Sequence, residues 1–354
     1  YAHPIEDALE QITHSICTLE FEDQRPFYDW VLERLCEGGL LTPPSPRQYE
    51  FARLNVTHVI TSKRKLRQLV QDGHVSGWDD PRMPTLAGLR RRGYTPEALK
   101  LFAQRSGVTK VSDAWTDYAA LDAALREVLE PSVPRAMAVL DPIPLILDNW
   151  AEVFGSPDHR EPCTAPLHPH HPDWGQRHFS LGPTIWIERS DYLDEPPKRF
   201  FRLFPGNKVR LKYGYSIECT GADHDEAGLV TAVHARIIPD TKSGTPGADR
   251  IKVKGNITWV GQADGVVAAV RLYDHLFLDP QPDVDKADFL ESLNPDSLHT
   301  VQAVVEPTLA ELAAERHVQF ERHGYFVADR HDHDTQTPVF NRAVTLKDSW
   351  ARRS

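Results

Sequence analysis

Cysteine is scarce in this chain: Cys17, Cys36, Cys163 and Cys219 are the only four among 354 residues, and no two form a C-x-x-C pair. That excludes a zinc ribbon and a disulfide framework and fits a reducing compartment, so the expected location is cytoplasmic. Long apolar runs are missing too. No stretch approaches the ~20 residues that span a bilayer and no signal peptide is visible, so no membrane partner is expected. Nor is there a Ser-His-Asp arrangement suited to covalent catalysis. The run His159, Cys163, His168, His170, His171, His178 fits no tetrahedral zinc spacing and is broken by prolines, so no metal site is expected there. The stretch from Asp329 to Asp334 reads as a polar loop. The chain opens on Tyr1 rather than Met, inside what reads as a folded segment, and is expected to be a fragment.

What remains is an ordinary globular composition, 40% hydrophobic and 26% charged, with length for two or three domains. The formal charge of −11 argues against nucleic acid only until its distribution is considered. Between Ile60 and Lys110 the cations are Lys63, Arg64, Lys65, Arg67, Arg82, Arg90, Arg91, Arg92, Lys100, Arg105 and Lys110, against Asp72, Asp79, Asp80 and Glu97. A basic surface is therefore expected within an acidic chain.

The early part reads as α/β. A short helix over 4–10, a strand over 12–21 and an amphipathic helix over 25–37 are expected, the last with Phe27, Val31 and Leu35 on one face and Gly38-Gly39 behind it. After the proline-rich link at Pro43, Pro44 and Pro46 come strands over 49–54 and 56–60. The β-branched run Val56, Thr57, Val59, Ile60 then gives way to Thr61-Ser62-Lys63-Arg64-Lys65 and the helical spacing Leu66, Leu69, Val70. Hydroxyls and ammonium groups between a strand and a helix suit the phosphates of a nucleotide. Residues 62–131 read as helical, with Gly93 closing one helix, Thr95 capping the next, and Ser112 or Asp113 starting a third that reaches Leu129. From Pro134 onward short β-rich runs separated by turns predict an all-β region of barrels. Trp78, Trp174 and Trp186 are expected in cores.

Several stretches together resemble the glutaminyl-tRNA synthetases, class I aminoacyl-tRNA synthetases of the glutamyl/glutaminyl subfamily. They are residues 3–21, 46–55, 77–93 (opening Gly77-Trp78-Asp79-Asp80-Pro81-Arg82-Met83-Pro84), 134–142 and 338–342. The resemblance implies the C-terminal part of a Rossmann-like catalytic domain over 1–62, a helical tRNA-contact subdomain over 63–133, and two anticodon-binding β-barrels over 134–354. It implies ATP and Mg2+ as cofactors, glutamine and its tRNA as partners, and a monomer. The family's Lys-Met-Ser-Lys-Ser loop falls on Thr61-Ser62-Lys63-Arg64, Thr61 standing where Met is usual. Lys63 and Ser62 take the catalytic role, and Thr18, Arg53 and Leu54 join Thr61, Ser62 and Lys63 around ATP. His3, Ser15, Cys17, Phe21 and Gln48 fall on the amino-acid pocket, Cys17 by packing rather than as a nucleophile. Asp23 falls on an acceptor-stem contact, and Arg135, Arg202, Arg210, Gln319 and Arg322 on anticodon contacts.

Departures accompany these matches. His170 stands for Asn, Arg199 for Gln, Phe201 for Lys and Lys212 for Arg of the best-known members. Arg90, Arg91 and Arg92 are expected on tRNA backbone. A glutamate–tRNA ligase of the same architecture and a non-catalytic tRNA-binding paralogue remain open. The family's His-x-Gly-His signature does not occur in the chain and is expected upstream of Tyr1, so that these residues alone would bind tRNA weakly and charge nothing.

Overall fold

A computed structural model describes residues 2–112, 114–284 and 288–347. Helix α1 (Ala2–Leu9) leads into strand β1 (His14–Thr18), which runs parallel to β2 (Arg47–Phe51) with Ser15 opposite Gln48 and Cys17 opposite Glu50. Parallel neighbours need a crossover, and α2 (Arg25–Glu37) supplies it. The strand expected to reach residue 21 stops at Thr18, where a 3-10 turn, Leu19–Gln24, redirects the chain into α2. The buried face of α2 is Tyr28, Val31 and Leu32, whereas Phe27 is 50% exposed and stacks near Trp30 on the outer side. Strand alternation sets the chemistry of the small sheet: Ser15, Gln48 and Glu50 are buried on one face, and Ile16 and Tyr49 are exposed on the other.

The strand expected over 56–60 is not formed beyond β3 (Asn55–Val56), which pairs with β4 (Trp115–Thr116). His58 adopts φ +61° and its N–H donates to the Pro280 carbonyl at 2.9 Å, so the chain turns out of the ladder. α3 (Lys63–Gln71) starts directly after Ser62. α4 (Leu86–Arg92) is capped by the Thr85 hydroxyl and closed by Gly93 at φ +109°, where a side chain would strike Ala343 and Val327. α5 (Pro96–Ser106) is capped by Thr95, and α6 (Tyr118–Leu129) by Asp117, whose carboxylate accepts the Ala119 N–H at 2.9 Å. That cap lies beyond Ser112; Asp113 lies outside the described residues.

Two seven-stranded sheets follow. In spatial order the first comprises Gly255–Ile257, Lys208–Leu211, Ser216–His224, Val230–Ile237, Pro142–Leu147, Thr184–Glu188 and Trp259–Gly261. The second comprises Arg135–Ala136, His317–Phe320, Gly324–Ala328, Val339–Thr345, Val266–Tyr273, Leu298–Val305 and Ala138–Val139. In each, the two outermost strands are consecutive in the chain, separated only by Thr258 or by Met137, both fully buried. One extended segment thus pairs with both ends of its sheet and nearly closes it, which removes exposed edges. The first barrel's core gathers Leu145, Ile185, Val209, Ile217, Val233 and Trp259; the second gathers Val270, Val305, Phe320, Phe326 and Phe340. Trp78 and Trp174, expected in cores, are 40% and 36% exposed, and Trp186 is half-buried between the barrels against Val139, Val260 and Val304.

The arginine run of α4 is largely engaged with partners within the chain. Arg90 pairs with Glu315 at 2.8 Å, and Arg91 meets Asp329 at 3.0 Å, Asp332 at 3.1 Å and Asp79 at 3.2 Å. Arg92 is buried, with its guanidinium carbon 5.7 Å from the Tyr273 ring centre and 6.0 Å from that of Tyr118. These cations dock α4 onto the second barrel. Asp329, expected in a polar surface loop, is completely buried and also receives Asn341 Nδ2 at 2.5 Å and the His331 and Asp332 N–H groups at 2.9 Å. Burial by itself raises its pKa, but Arg91, the two N–H groups and Asn341 outweigh that and hold the carboxyl at about 2. A lowered native pKa contributes stability above the unfolded value near 3.9 that is lost as pH falls through the native one. Asp329→Asn is expected to destabilise the chain at pH 7 by about 3–5 kcal/mol. In thermal unfolding followed from pH 7 to pH 2, the gap between wild type and variant should narrow below about pH 4.

Candidate functional site

On the buried face of β1 and β2, Ser15 Oγ lies 2.8 Å from His3 Nε2, which is 3.1 Å from Asp7 one turn along α1. Asp7 accepts the Tyr28 hydroxyl at 2.8 Å. Beside this row the Gln48 amide donates to Glu50 Oε1 at 2.9 Å, leaving its own carbonyl oxygen as an acceptor. Arg25 Nε donates to Glu50 at 2.9 Å and a second guanidinium nitrogen closes on the other carboxylate oxygen. The Arg25 bond chiefly, against burial and with help from Gln48, holds Glu50 at a pKa of about 2, so it stays anionic. Burial, with Glu50 nearby, pushes the Cys17 thiol up, which suits packing rather than nucleophilic attack. His3, Ser15, Cys17 and Gln48 are thus brought together. Phe21 is 43% exposed on the 3-10 turn that also carries the exposed Asp23, and half-buried Thr18 ends β1. An open cleft of about 880 Å³ lined by Arg25, Asp29, Cys36, Arg47 and Gln48 adjoins them; Thr61, Ser62 and Lys63 do not line it.

Those three residues form a separate part of the site. Thr61, Lys63 and Arg64 are exposed, and Ser62 is the N-cap of α3, with no side-chain bond to the helix's first N–H groups. Both flanks of this short segment are fastened by the long connection between Val266–Tyr273 and Leu298–Val305. Upstream, His58 donates its N–H to Pro280 and its Nδ1 lies 3.1 Å from the Phe277 carbonyl, while its ring stacks on His275 at 4.2 Å. Burial, with His58 and Arg92 nearby, lowers the His275 pKa to about 3, so that ring is neutral. Downstream, Lys65 pairs with Asp283 at 3.2 Å, and Leu66 and Leu69 join Ile60, Leu276, Phe277 and Phe289 in one buried cluster. Ile60, not residue 61, fills the apolar slot. Arg53 and Leu54 are exposed just before β3. The fastening residues lie about two hundred positions from the loop and carry no local signal, whereas Glu50, one strand period from Gln48, was readable.

In the β region, Arg135 lies opposite Gln319 in the strand register. The fully buried Arg177 joins Glu306 at 2.9 Å and Glu321 at 2.5 Å, and donates to the Arg135 carbonyl at 2.8 Å. Lys212 also closes on Glu321. Burial, then Arg177, Arg135 and Arg322, bring the Lys212 pKa down to about 8, the mark of a crowded cationic seam. At one end of it Arg322 grips Asp191 with two bonds of 2.7 Å, and Arg202 reaches the same carboxylate at 2.9 Å. Four of the expected residues therefore share this seam between the barrels. Arg210 is turned to the carbonyls of Thr241 and Ala248 at 2.8 and 2.5 Å. The acids Asp191 and Glu321 were not anticipated, since only tertiary contact distinguishes them from other surface acids.

The histidine run closes another joint: His168 and His171 each place Nε2 2.9 Å from a carbonyl at the end of α6, Glu130 and Pro131. Among the described residues no group of three or more His, Cys, Asp or Glu is placed to hold a metal ion, and no helix is long and apolar enough to cross a membrane.

Three family models match the chain in succession. The catalytic domain of class I tRNA synthetases (E and Q) covers residues 1–131, and two anticodon-binding domain models of the same class cover 133–238 and 256–329. Curated proteins similar to it include a glutamine--tRNA ligase of Ralstonia pickettii, 60% identical over 99% of this chain and 60% of that protein. Another, of Bordetella avium, is 60% identical over 99% of this chain and 59% of that protein, and one of Cupriavidus metallidurans is 57% identical over 99% and 60%. The chain thus spans about 60% of the length of the curated relatives it matches.

The downstream clamp is testable in isolation. Asp283→Ala is expected to shift the thermal midpoint by at most about 3 °C, because the pair is partly exposed. Hydrogen exchange at the amides of residues 63–66 should nonetheless quicken several-fold. Unchanged exchange there would show that the apolar cluster alone holds the segment.

Proposed function

Because the chain belongs to the class I (E and Q) tRNA synthetases, we propose that the protein is a glutamine–tRNA ligase, which activates glutamine with ATP and transfers it to the 3′-terminal adenosine of its tRNA. The observation that carries this reading is the exposed Thr61–Arg64 segment, fastened on both flanks at the start of α3. Glutamine rather than glutamate is supported by the printed names of the relatives at 57–60% identity. In this reading residues 1–62 complete a catalytic domain, 63–133 form a helical contact with the tRNA stem, and 134–354 read the anticodon. The protein works as a cytoplasmic monomer.

ATP supplies the α-phosphate that the glutamine carboxylate attacks in line, with pyrophosphate departing. Lys63, on an exposed and short segment, brings its ammonium to the charge that grows on the leaving phosphates, an interaction strongest in the transition state. The Ser62 hydroxyl and the N–H groups at the start of α3 are donors of the kind that bind phosphate oxygens. Thr18, Arg53, Leu54 and Thr61 complete the nucleotide site. Mg2+ fits as a passenger of the nucleotide phosphates, since it favours phosphate and water oxygens over an all-protein cage. Glu50, fixed as an anion by Arg25, orients the Gln48 amide so that its carbonyl is left to accept, which suits a neutral side chain carrying N–H groups. His3, Ser15, Cys17 and Phe21 shape the same pocket. Asp23, exposed ahead of α2, is placed to accept from a guanine amino group in the acceptor-stem minor groove. The seam residues Arg135, Arg202, Gln319 and Arg322 meet the anticodon, with Arg210 bracing the barrel beside them.

In the full-length protein, Lys63→Ala is expected to lower pyrophosphate exchange on the order of 10²–10³-fold with tRNA affinity unchanged. Thr61→Met should stay within a few-fold, because residue 61 is exposed and Ile60 holds the buried slot. Equal effects would refute the assignment of the loop. Charging assays with glutamine and glutamate on the same tRNA should show preference for glutamine; preference for glutamate would move the protein to the sister activity.

A further inference from the structure

Phe201 is 46% exposed, yet the backbone that presents it is tightly held. Leu203 N–H donates to the Asp191 carbonyl at 2.9 Å, and Leu193 N–H to the Leu203 carbonyl at 3.1 Å. Arg202 bonds the Asp191 carboxylate at 2.9 Å and the Ser190 carbonyl at 3.1 Å, and Asn207 Nδ2 donates to the Arg202 carbonyl at 2.5 Å. On the other side the Phe201 carbonyl lies where a Cβ on residue 255 would sit, so only glycine at 255 lets the Phe201 segment approach the strand Gly255–Ile257. Single exposed aromatic residues are common on protein surfaces; Phe201 differs in combining a hydrogen-bonded backbone with a ring flanked by cations.

Its surroundings indicate the ligand. Lys254 Nζ is 5.4 Å from the ring centre on an exposed side chain, and Lys198 and Arg199 are exposed in the preceding turn. Arg202, the next residue, shares Asp191 with Arg322 and so ties the ring to the cationic seam between the barrels. An exposed aromatic ring on a hydrogen-bonded backbone, bordered by exposed cations, is an arrangement that stacks an unpaired nucleobase and meets its phosphate. We propose that Phe201 is a stacking platform for an unstacked base of the tRNA anticodon loop, with Lys254 meeting the adjoining phosphate. The inference rests on the tRNA-binding reading above and adds a recognition residue to it.

The test measures binding of an unmodified transcript carrying the glutamine anticodon to the full-length protein and to its Phe201→Ala, Phe201→Trp, Lys254→Ala and Arg322→Ala variants, across a salt series. Thermal unfolding of each variant verifies that the fold is intact. Phe201→Ala is expected to weaken binding about ten- to a hundredfold without changing the slope of log affinity against log salt. Phe201→Trp should retain wild-type affinity within a few-fold. Lys254→Ala should weaken binding and reduce the slope by about one. Transcripts made abasic at each anticodon-loop base in turn locate the stacked base: at that position wild type loses affinity and Phe201→Ala loses no more. Phe201→Ala within twofold of wild type, while Arg322→Ala binds poorly, overturns the platform and leaves the tRNA reading intact. If Phe201→Ala weakens binding but every abasic transcript loses equally in both proteins, base stacking is likewise refuted. Wild-type affinity in both Phe201→Ala and Arg322→Ala would sink the anticodon reading itself.

Discussion

Buried carboxylates gripping guanidinium groups hold this molecule together at its functional joints. Glu50 fixes Arg25 beneath the small parallel sheet, Asp329 fixes Arg91 between α4 and the second barrel, Glu306 and Glu321 enclose Arg177 between the barrels, and Asp191 fixes Arg322 at the seam. Arginine suits this because its planar fork gives two directed bonds and remains charged when buried. Such pairs contribute less net stability than their short distances suggest, since both ions lose hydration. Their larger effect is geometric. A helix carrying one half of a buried pair has a single docking position in which neither charge is stranded, so the joints are fixed in register and angle.

That constraint explains how an acidic chain presents exposed groups of cations. The acids outnumber the cations, 51 to 40, but several of them are internal and already committed to particular arginines. Exposed cations include Lys63 and Arg64 on the loop and Lys198, Arg199 and Lys254 beside Phe201. It also explains why Arg91 and Arg92 of the basic run in α4 are turned to partners within the chain. Counting charges along the chain cannot tell a cation facing water from one whose partner arrives from a strand two hundred residues away.

The same long connection from the second barrel that carries His275, Phe277 and Asp283 reaches under the Thr61–Arg64 segment and pins both its flanks. Freedom is left only to the four residues between the clamps. This arrangement confines to a few residues the ordering entropy of any contact the segment makes. The Thr61–Arg64 segment and the second barrel are therefore tied together through this connection.

Sequence alone settled what depends on neighbours along the chain. The helix stops and caps at Gly38, Gly93 and Thr95, the crossover from β1 through α2 to β2, and the change to short strands after Pro134 are local patterns of turn chemistry and apolar period. Strand alternation likewise puts Ser15, Gln48 and Glu50 on one buried face. Tertiary structure decided the rest. It bent the chain at His58 instead of continuing a strand, because the Pro280 and Phe277 carbonyls offered better partners than a third ladder position. It took Arg91, Arg92 and Asp329 inside and left Trp78, Trp174, Phe27 and Phe201 outside. It closed two sheets through single residues, Met137 and Thr258. In each case the deciding partner is distant in sequence, and hydrogen bonds and ion pairs formed across folded elements leave no periodic trace in the chain that makes them.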